Sequence, residues 1–139
     1  MDDKERLSIL IDRLQWRHCT PGAELNGDIW LALGHPNEAE VKQANDWGNQ
    51  LAARGDLLLF ARKLAPHYSL RLDAARSIIP PGYDHEIAAL PDGRMRVSVW
   101  IADNPMIVAE ATSAPLALCA AILKHRYLER YGVQHSQAV

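Results

Sequence analysis

The chain reads as an α+β domain: a small antiparallel β-sheet of three to four strands with helices packed on both faces, an α/β/α sandwich. Three observations predict this. Met95, Val97, Val99 and Ile101 alternate with Arg94, Arg96, Ser98 and Trp100, the period-two pattern of a half-buried strand. Leu90-Pro91-Asp92-Gly93 just before it is a turn, because Pro presets φ, Asp bonds its own backbone and Gly accepts φ > 0. Leu116, Ala120, Leu123 and Tyr127 then recur on one helical face, widened by Cys119 and Ile122. The stretch from Pro66 to Tyr131 therefore carries most of the predicted core.

Taken in order, a first helix starts near Asp2 or Asp3, where an acid caps free N–H groups and suits the positive helix end. Leu7, Leu10, Ile11 and Leu14 form its apolar stripe, with Arg13, Arg17 and His18 near its end, and Thr20-Pro21-Gly22 breaks it. Thr20 is positioned to cap a second helix carrying Leu25, Ile29, Ala32 and Leu33, with Pro21 at its first position. Gly34 and Pro36 stop that helix. Asn37-Glu38-Ala39-Glu40 resembles a capping box, and a third helix is expected from there to Arg54-Gly55.

Leu57-Leu58-Leu59-Phe60-Ala61 is a continuous apolar run that period alone allows as a buried strand or a helix turn; its shortness and the flanking Gly55 and Pro66 favour a strand or extended segment. Ser69 is placed to cap a helix lined by Leu72, Ala75, Ile78 and Ile79, which Pro80-Pro81-Gly82 ends. Tyr83 to Leu90 is the first hairpin strand. Asp103-Asn104-Pro105 turns the chain, and Met106 to Ala109 adds a third strand. Thr112 or Ser113 caps the last helix, with Pro115 in its first turn. The organisation is thus one domain over 1–139: helical to 56, strand-helix-hairpin-strand-helix over 57–131, and a frayed tail over 132–139.

Composition bounds the function. The 139 residues are 48% hydrophobic and 23% charged, with a net charge of −2, the profile of an ordinary globular chain. Residues 1–56 carry 10 acids against 6 bases, and residues 57–139 carry 9 bases against 7 acids. Neither half has the charge density of a polyanion-binding surface. No apolar run approaches the roughly 20 residues a membrane helix needs, and no secretory signal is read before the two cysteines. A cytoplasmic setting, in a bacterial host cell or associated with a virion, is the expectation.

Two segments together resemble a known family. They are Pro66-His67-Tyr68-Ser69-Leu70-Arg71-Leu72-Asp73-Ala74-Ala75, followed by Ile78-Ile79-Pro80-Pro81-Gly82-Tyr83, and Ala114-Pro115-Leu116-Ala117-Leu118-Cys119-Ala120-Ala121-Ile122-Leu123-Lys124. The order of a Tyr-Ser segment ending in Pro-x-Gly, a hairpin and an Ala-rich helix with Cys resembles the phage ABA sandwich domain, a group of small phage and prophage proteins. Leu25 to Gly34 is similar to its earlier helix. Arg71 stands where the family usually has a second Ser, which places the helix cap at Ser69. The resemblance implies an α/β/α layered domain of phage-derived genes and carries over no catalytic residue.

The residues offer little catalytic chemistry. There is no Cys-x-x-Cys, no His-Glu-x-x-His and no phosphate-binding glycine loop. Cys119 and His125 lie about 240° apart around one helix and cannot share an ion there. Asp84 and Glu86 share a strand face, but a solvated face explains them. No cofactor or metal is expected. The candidate binding residues are Arg94, Arg96 and Trp100 on the hairpin. The reading is a non-enzymatic accessory protein that self-associates or binds a phage or host protein. The alternative is a weak nucleic-acid-binding module using Arg94, Arg96 and neighbours.

Overall fold

In the computed structural model, residues 2–35, 37, 39–40 and 57–132 are described. Helix α1 runs over Asp3–Leu14 and α2 over Ala23–Ala32. Next come α3 (Leu57–Leu64) and the short α4 (Leu72–Arg76). Strands β1 (Asp84–Ala89), β2 (Met95–Trp100) and β3 (Ile107–Ala111) precede the long α5 (Ala114–Tyr131). The strands form one antiparallel sheet in the order β1-β2-β3, so the fold is α+β with helices packed against a small sheet.

The sheet follows from its turns. Gly93 takes φ 89° and donates to the Leu90 carbonyl at 3.0 Å, while Asp92 Oδ1 accepts from the Arg94 N–H at 3.0 Å. That register pairs Ala89 with Met95 and Asp84 with Trp100. It aims Val97, Val99, Ala109 and Ala111 at one side, where all four are buried. α5 packs on β2 and β3 there, and α1 and α4 pack on α5 in turn. Leu116 to Leu123 is an unbroken buried stretch, so α5 is covered on nearly every side. The buried apolar residues form one cluster spanning α1, α2, α3, the sheet and α5.

The opposite sheet face carries Arg96, Ser98, Trp100, Val108 and Glu110. No described helix makes an extensive contact with it, and Arg96 and Val108 are exposed. The helix expected over 38–54 and the tail after Gly132 lie outside the described residues, apart from the capping box. That box forms: Glu40 N–H donates to Asn37 Oδ1 and Asn37 N–H to Glu40 Oε1, both at 2.8 Å.

Three expectations are corrected. Leu57–Leu64 is a helix and not a strand. The run Leu58 to Ala65 contains good helix formers and no β-branched residue. As a helix it buries Phe60 and Ala61 and leaves Leu58 and Leu59 facing outward. Second, α2 starts at Ala23 with Gly22 as its cap residue, so Thr20 and Pro21 precede it rather than open it. Third, Ser69 does not cap α4, whose cap position is Arg71. Ser69 is buried instead. Its N–H and Oγ both donate to Asn26 Oδ1, at 2.8 and 2.6 Å, and its Oγ accepts from the Gly22 N–H at 3.0 Å.

Elsewhere α4 stops at Arg76, with Ile78 and Ile79 in the turn beyond it, and α1 stops at Leu14, before Arg17 and His18. β3 runs over Ile107–Ala111 rather than Met106 to Ala109, whereas the head of α1, the end of α2 and both ends of α5 stand as read. Asp2 Oδ1 accepts from the Glu5 N–H at 2.8 Å at the head of α1. α2 ends in a paired motif: Gly34 N–H bonds the Leu31 carbonyl and His35 N–H the Trp30 carbonyl. The His35 ring stacks on Trp30 at 5.6 Å. Ser113 Oγ caps α5, and Gly132 with φ 74° closes it.

Candidate functional site

The residues singled out on the hairpin do not form an open basic patch. Arg94 stands at the start of β2 and turns to the sheet edge. One guanidinium nitrogen, Nη2, donates to the Gln15 carbonyl at 2.9 Å and to the Glu110 carbonyl at 3.1 Å. Arg96 pairs with Glu110, its Nη2 at 2.8 Å and its Nε at 2.9 Å from Oε2. Trp100 shares Arg96's face of β2 and is half-buried. The alternation of β2 brings Arg96 and Trp100 to one face as read; it could not show that Glu110 on β3 neutralises Arg96 across the strands.

Arg94 is part of a wider arrangement. Backbone groups of β3 that the β2 ladder leaves free are met by side chains. Lys124 Nζ donates to the Val108 carbonyl at 2.7 Å, the Glu110 N–H to Gln15 Oε1 at 3.4 Å, and Arg94 to the Glu110 carbonyl. These contacts occupy an edge that could otherwise pair with another strand. Burial lowers the Lys124 pKa, against the opposing pull of Asp12 and Glu110.

The ionisable groups elsewhere are structural in their surroundings. Cys119 is fully buried and burial pushes its thiol up to about 12, so no thiolate forms at neutral pH. Burial also raises Cys19, with nearby Arg13 opposing. Tyr68 is pushed up to about 12 by burial, then by Cys119 and Glu40. Glu40 has a lowered pKa: burial acts to raise it, but the His35 ring at 2.6 Å and the Asn37 N–H outweigh that. Tyr83 Oη lies 2.7 Å from His125 Nε2, an edge-on pair tying the start of β1 to α5. Asp84 and Glu86 lie exposed on one face of β1. Among the described residues, no group of three or more His, Cys, Asp or Glu is placed to hold a metal ion. No described helix is long and apolar enough to cross a membrane.

The most distinctive surface lies along α1. Leu7, Leu10, Ile11 and Leu14 face inward, whereas Ile9 is 48% exposed. At ~100° per residue, Ile9 points about 150° away from the centre of that stripe. α1 forms a ridge between two grooves. One, of ≈ 520 Å³, has Ile9, Leu31 and Leu58 among its walls and Arg6 and Arg130 at its rim. The other, of ≈ 370 Å³, is walled by Ser8, Asp12, Met106 and Lys124 among others. Leu58 and Met106 are 43% and 60% exposed. Below the first groove, Arg13 bridges Glu24 and Asp28 of α2, each at 3.0 Å, and so locks α1 to α2.

The sequence held one signal for this surface. Ile9 is an aliphatic residue off the stripe of an amphipathic helix. Leu58 and Met106 carry no such signal, because their exposure depends on elements far away in sequence.

Compared with protein-family models, curated proteins and solved structures, the chain shows no significant match.

Proposed function

We propose that this chain is a non-enzymatic, self-associating protein-interaction module. Its resemblance to the phage ABA sandwich group makes it an accessory protein of phage or prophage origin, acting in the cytoplasm of a bacterial host or on the virion. The observation that carries the reading is the α1 surface: Ile9, Leu58 and Met106 stand exposed along two grooves, ringed by Arg6, Asp12 and Arg130. An apolar centre with a charged rim is the anatomy of a protein–protein contact. The engagement of Arg94 and Arg96 by internal partners favours this reading over the nucleic-acid alternative, which needs free cations to displace counterions.

The test combines two measurements. Light scattering across protein concentration reads self-association. Capture on the immobilised protein, compared with capture on an Ile9→Glu/Leu58→Glu/Met106→Glu variant, reads hetero-association. Association lost in the variant is the expected result. A chain that neither self-associates nor captures anything in a variant-sensitive way ends the reading.

A further inference from the structure

We infer that β1 is a docking edge for an extended segment of a partner protein, one whose side chains alternate basic and apolar. This contact is separate from the α1 surface and does not depend on it.

The two edges of the sheet differ. On β3 the outward-facing backbone groups of Val108 and Glu110 are met by Lys124, Gln15 and Arg94. At the end of β1 the Leu90 N–H bonds the Arg94 carbonyl at 2.8 Å, which turns Leu90 toward β2. Backbone direction alternates along a strand, so Ala88, Glu86 and Asp84 also turn toward β2. The N–H and C=O groups of His85, Ile87 and Ala89 are left pointing away from the sheet. They meet no partner among the described residues. β1 contains no Pro and no Lys, and its register with β2 runs from Asp84 to Ala89 without a bulge. Proline, lysine and bulges are common means of closing an edge to a further strand.

Charge names the occupant. Asp84 and Glu86 stand exposed on one face of β1, and neither forms an ion pair among the described residues. Arg96, on the same face of the sheet, is already held by Glu110. A strand added antiparallel makes its hydrogen bonds at His85, Ile87 and Ala89. Asp84 and Glu86 then fall at the closely spaced positions, where opposing side chains approach most nearly. Lys or Arg opposite both is the complementary choice. A second copy of β1 is a poor one. Pairing the strand with itself about Glu86 sets that acid against its own kind, and pairing about His85 sets Asp84 against Glu86. Pairing about Ile87 or Ala88 leaves both acids without a base. On the other face, Ile87 sits opposite Val97 yet is only half-buried. Apolar partner residues at the intervening positions, opposite His85 and Ile87, complete its cover. The partner is therefore a strand of alternating basic and apolar residues, held by its main chain and selected by its side chains.

Fluorescence anisotropy with synthetic peptides tests this on the full chain, with circular dichroism confirming that each variant folds. The basic probe is Thr-Lys-Val-Lys-Val-Lys-Thr. Its controls are the same peptide with Glu in place of Lys, and a scramble that groups the lysines together. The basic probe is expected to bind, less at high salt, and to slow hydrogen exchange at the His85, Ile87 and Ala89 amides. Both controls should bind about tenfold or more weakly. Ala89→Pro removes an outward N–H and no bond to β2, and should weaken the basic probe about tenfold or more. Asp84→Lys/Glu86→Lys should reverse the preference, so that the acidic peptide binds in place of the basic one. Absence of binding at peptide concentrations up to about 1 mM overturns the inference. Equal binding of the scramble, with Ala89→Pro without effect, overturns it too, since charge attraction alone would then hold the peptide. Self-association lost in Ala89→Pro overturns the choice of occupant, because the edge would then serve a second copy.

Discussion

The Cys119 thiol sits on α5 within 3.5 Å of the Tyr68 carbonyl, and burial lifts its pKa from 9.0 to about 12. The folded state thus keeps a proton that the unfolded chain loses above pH ~9. Stability from this group is complete below its unfolded pKa and is lost as pH rises toward its folded value, at up to about 1.4 kcal/mol per pH unit. Cys19 acts in the same direction, and Tyr68 joins above pH ~10. Lys124 acts oppositely, since a depressed lysine pKa makes the fold relatively more stable as pH rises. Urea denaturation between pH 8 and 10 is expected to show falling stability, with a shallower slope in Cys119→Ala.

Ala102 supplies a second local prediction. It takes φ 45° in the turn closed by the Asn104 N–H to Ile101 carbonyl bond. An L-residue in this region is strained by roughly 1–2 kcal/mol. Ala102→Gly should relieve much of that, offset by glycine's extra unfolded-state entropy, for a net gain of up to about 1 kcal/mol in the denaturation free energy.

The α2–α3 crossing depends on a missing side chain. A Cβ at Gly27 would lie 2.8 Å from the Cα and N of Arg62, so α3 would have to move as a unit. Gly27→Ala is expected to destabilise the fold by about 1–3 kcal/mol in chemical denaturation. This same crossing explains why a run read as a strand is a helix. A leucine-rich segment without β-branching needed a flat surface to lie on, and Gly27, thirty residues earlier in α2, provides it. Ser69 repeats the lesson at the loop before α4. Its hydroxyl looked like a cap, but the nearby end of α2 offered the buried Asn26 amide. Asn26→Ala would leave the Ser69 N–H and hydroxyl without that acceptor and should cost about 1–3 kcal/mol.

Across the molecule, α5 is where sheet and helices meet, touching β2, β3, α1 and α4. Its amides from Leu118 to Leu123 should exchange with solvent only through global unfolding, with denaturant dependence equal to that of equilibrium unfolding. The five-residue α4 and the exposed turn Ala102 to Met106 should exchange by local opening. Hydrogen-exchange measurements across low denaturant concentrations check this, and equal protection in α4 and α5 would contradict it. The covered edge of β3 and the outward ridge of α1 also belong to this scale. Strand pairing is hindered along β3, while the helical ridge beside it stays open to association.

Local chemistry in the chain was enough to place α1, the β1–β2 hairpin, β3 and α5. Asp2 and Ser113 cap, Gly34 and Gly132 stop, and Pro91-Asp92-Gly93 turns, through interactions spanning only a few residues. Period-two and helical apolar patterns then named most of the core. What followed from three-dimensional packing were the relations between distant residues: α3 seated on Gly27, Ser69 turned to Asn26, and Arg94 and Arg96 held at the β3 edge. Hydrogen bonds and close packing select these partners only once the elements meet, so residues with free donors and charges along the chain became internal ties. Ile9 stands between the two. Its departure from the apolar stripe is written in the order of residues, and its place as a ridge between two grooves is set by α2, α3 and β3.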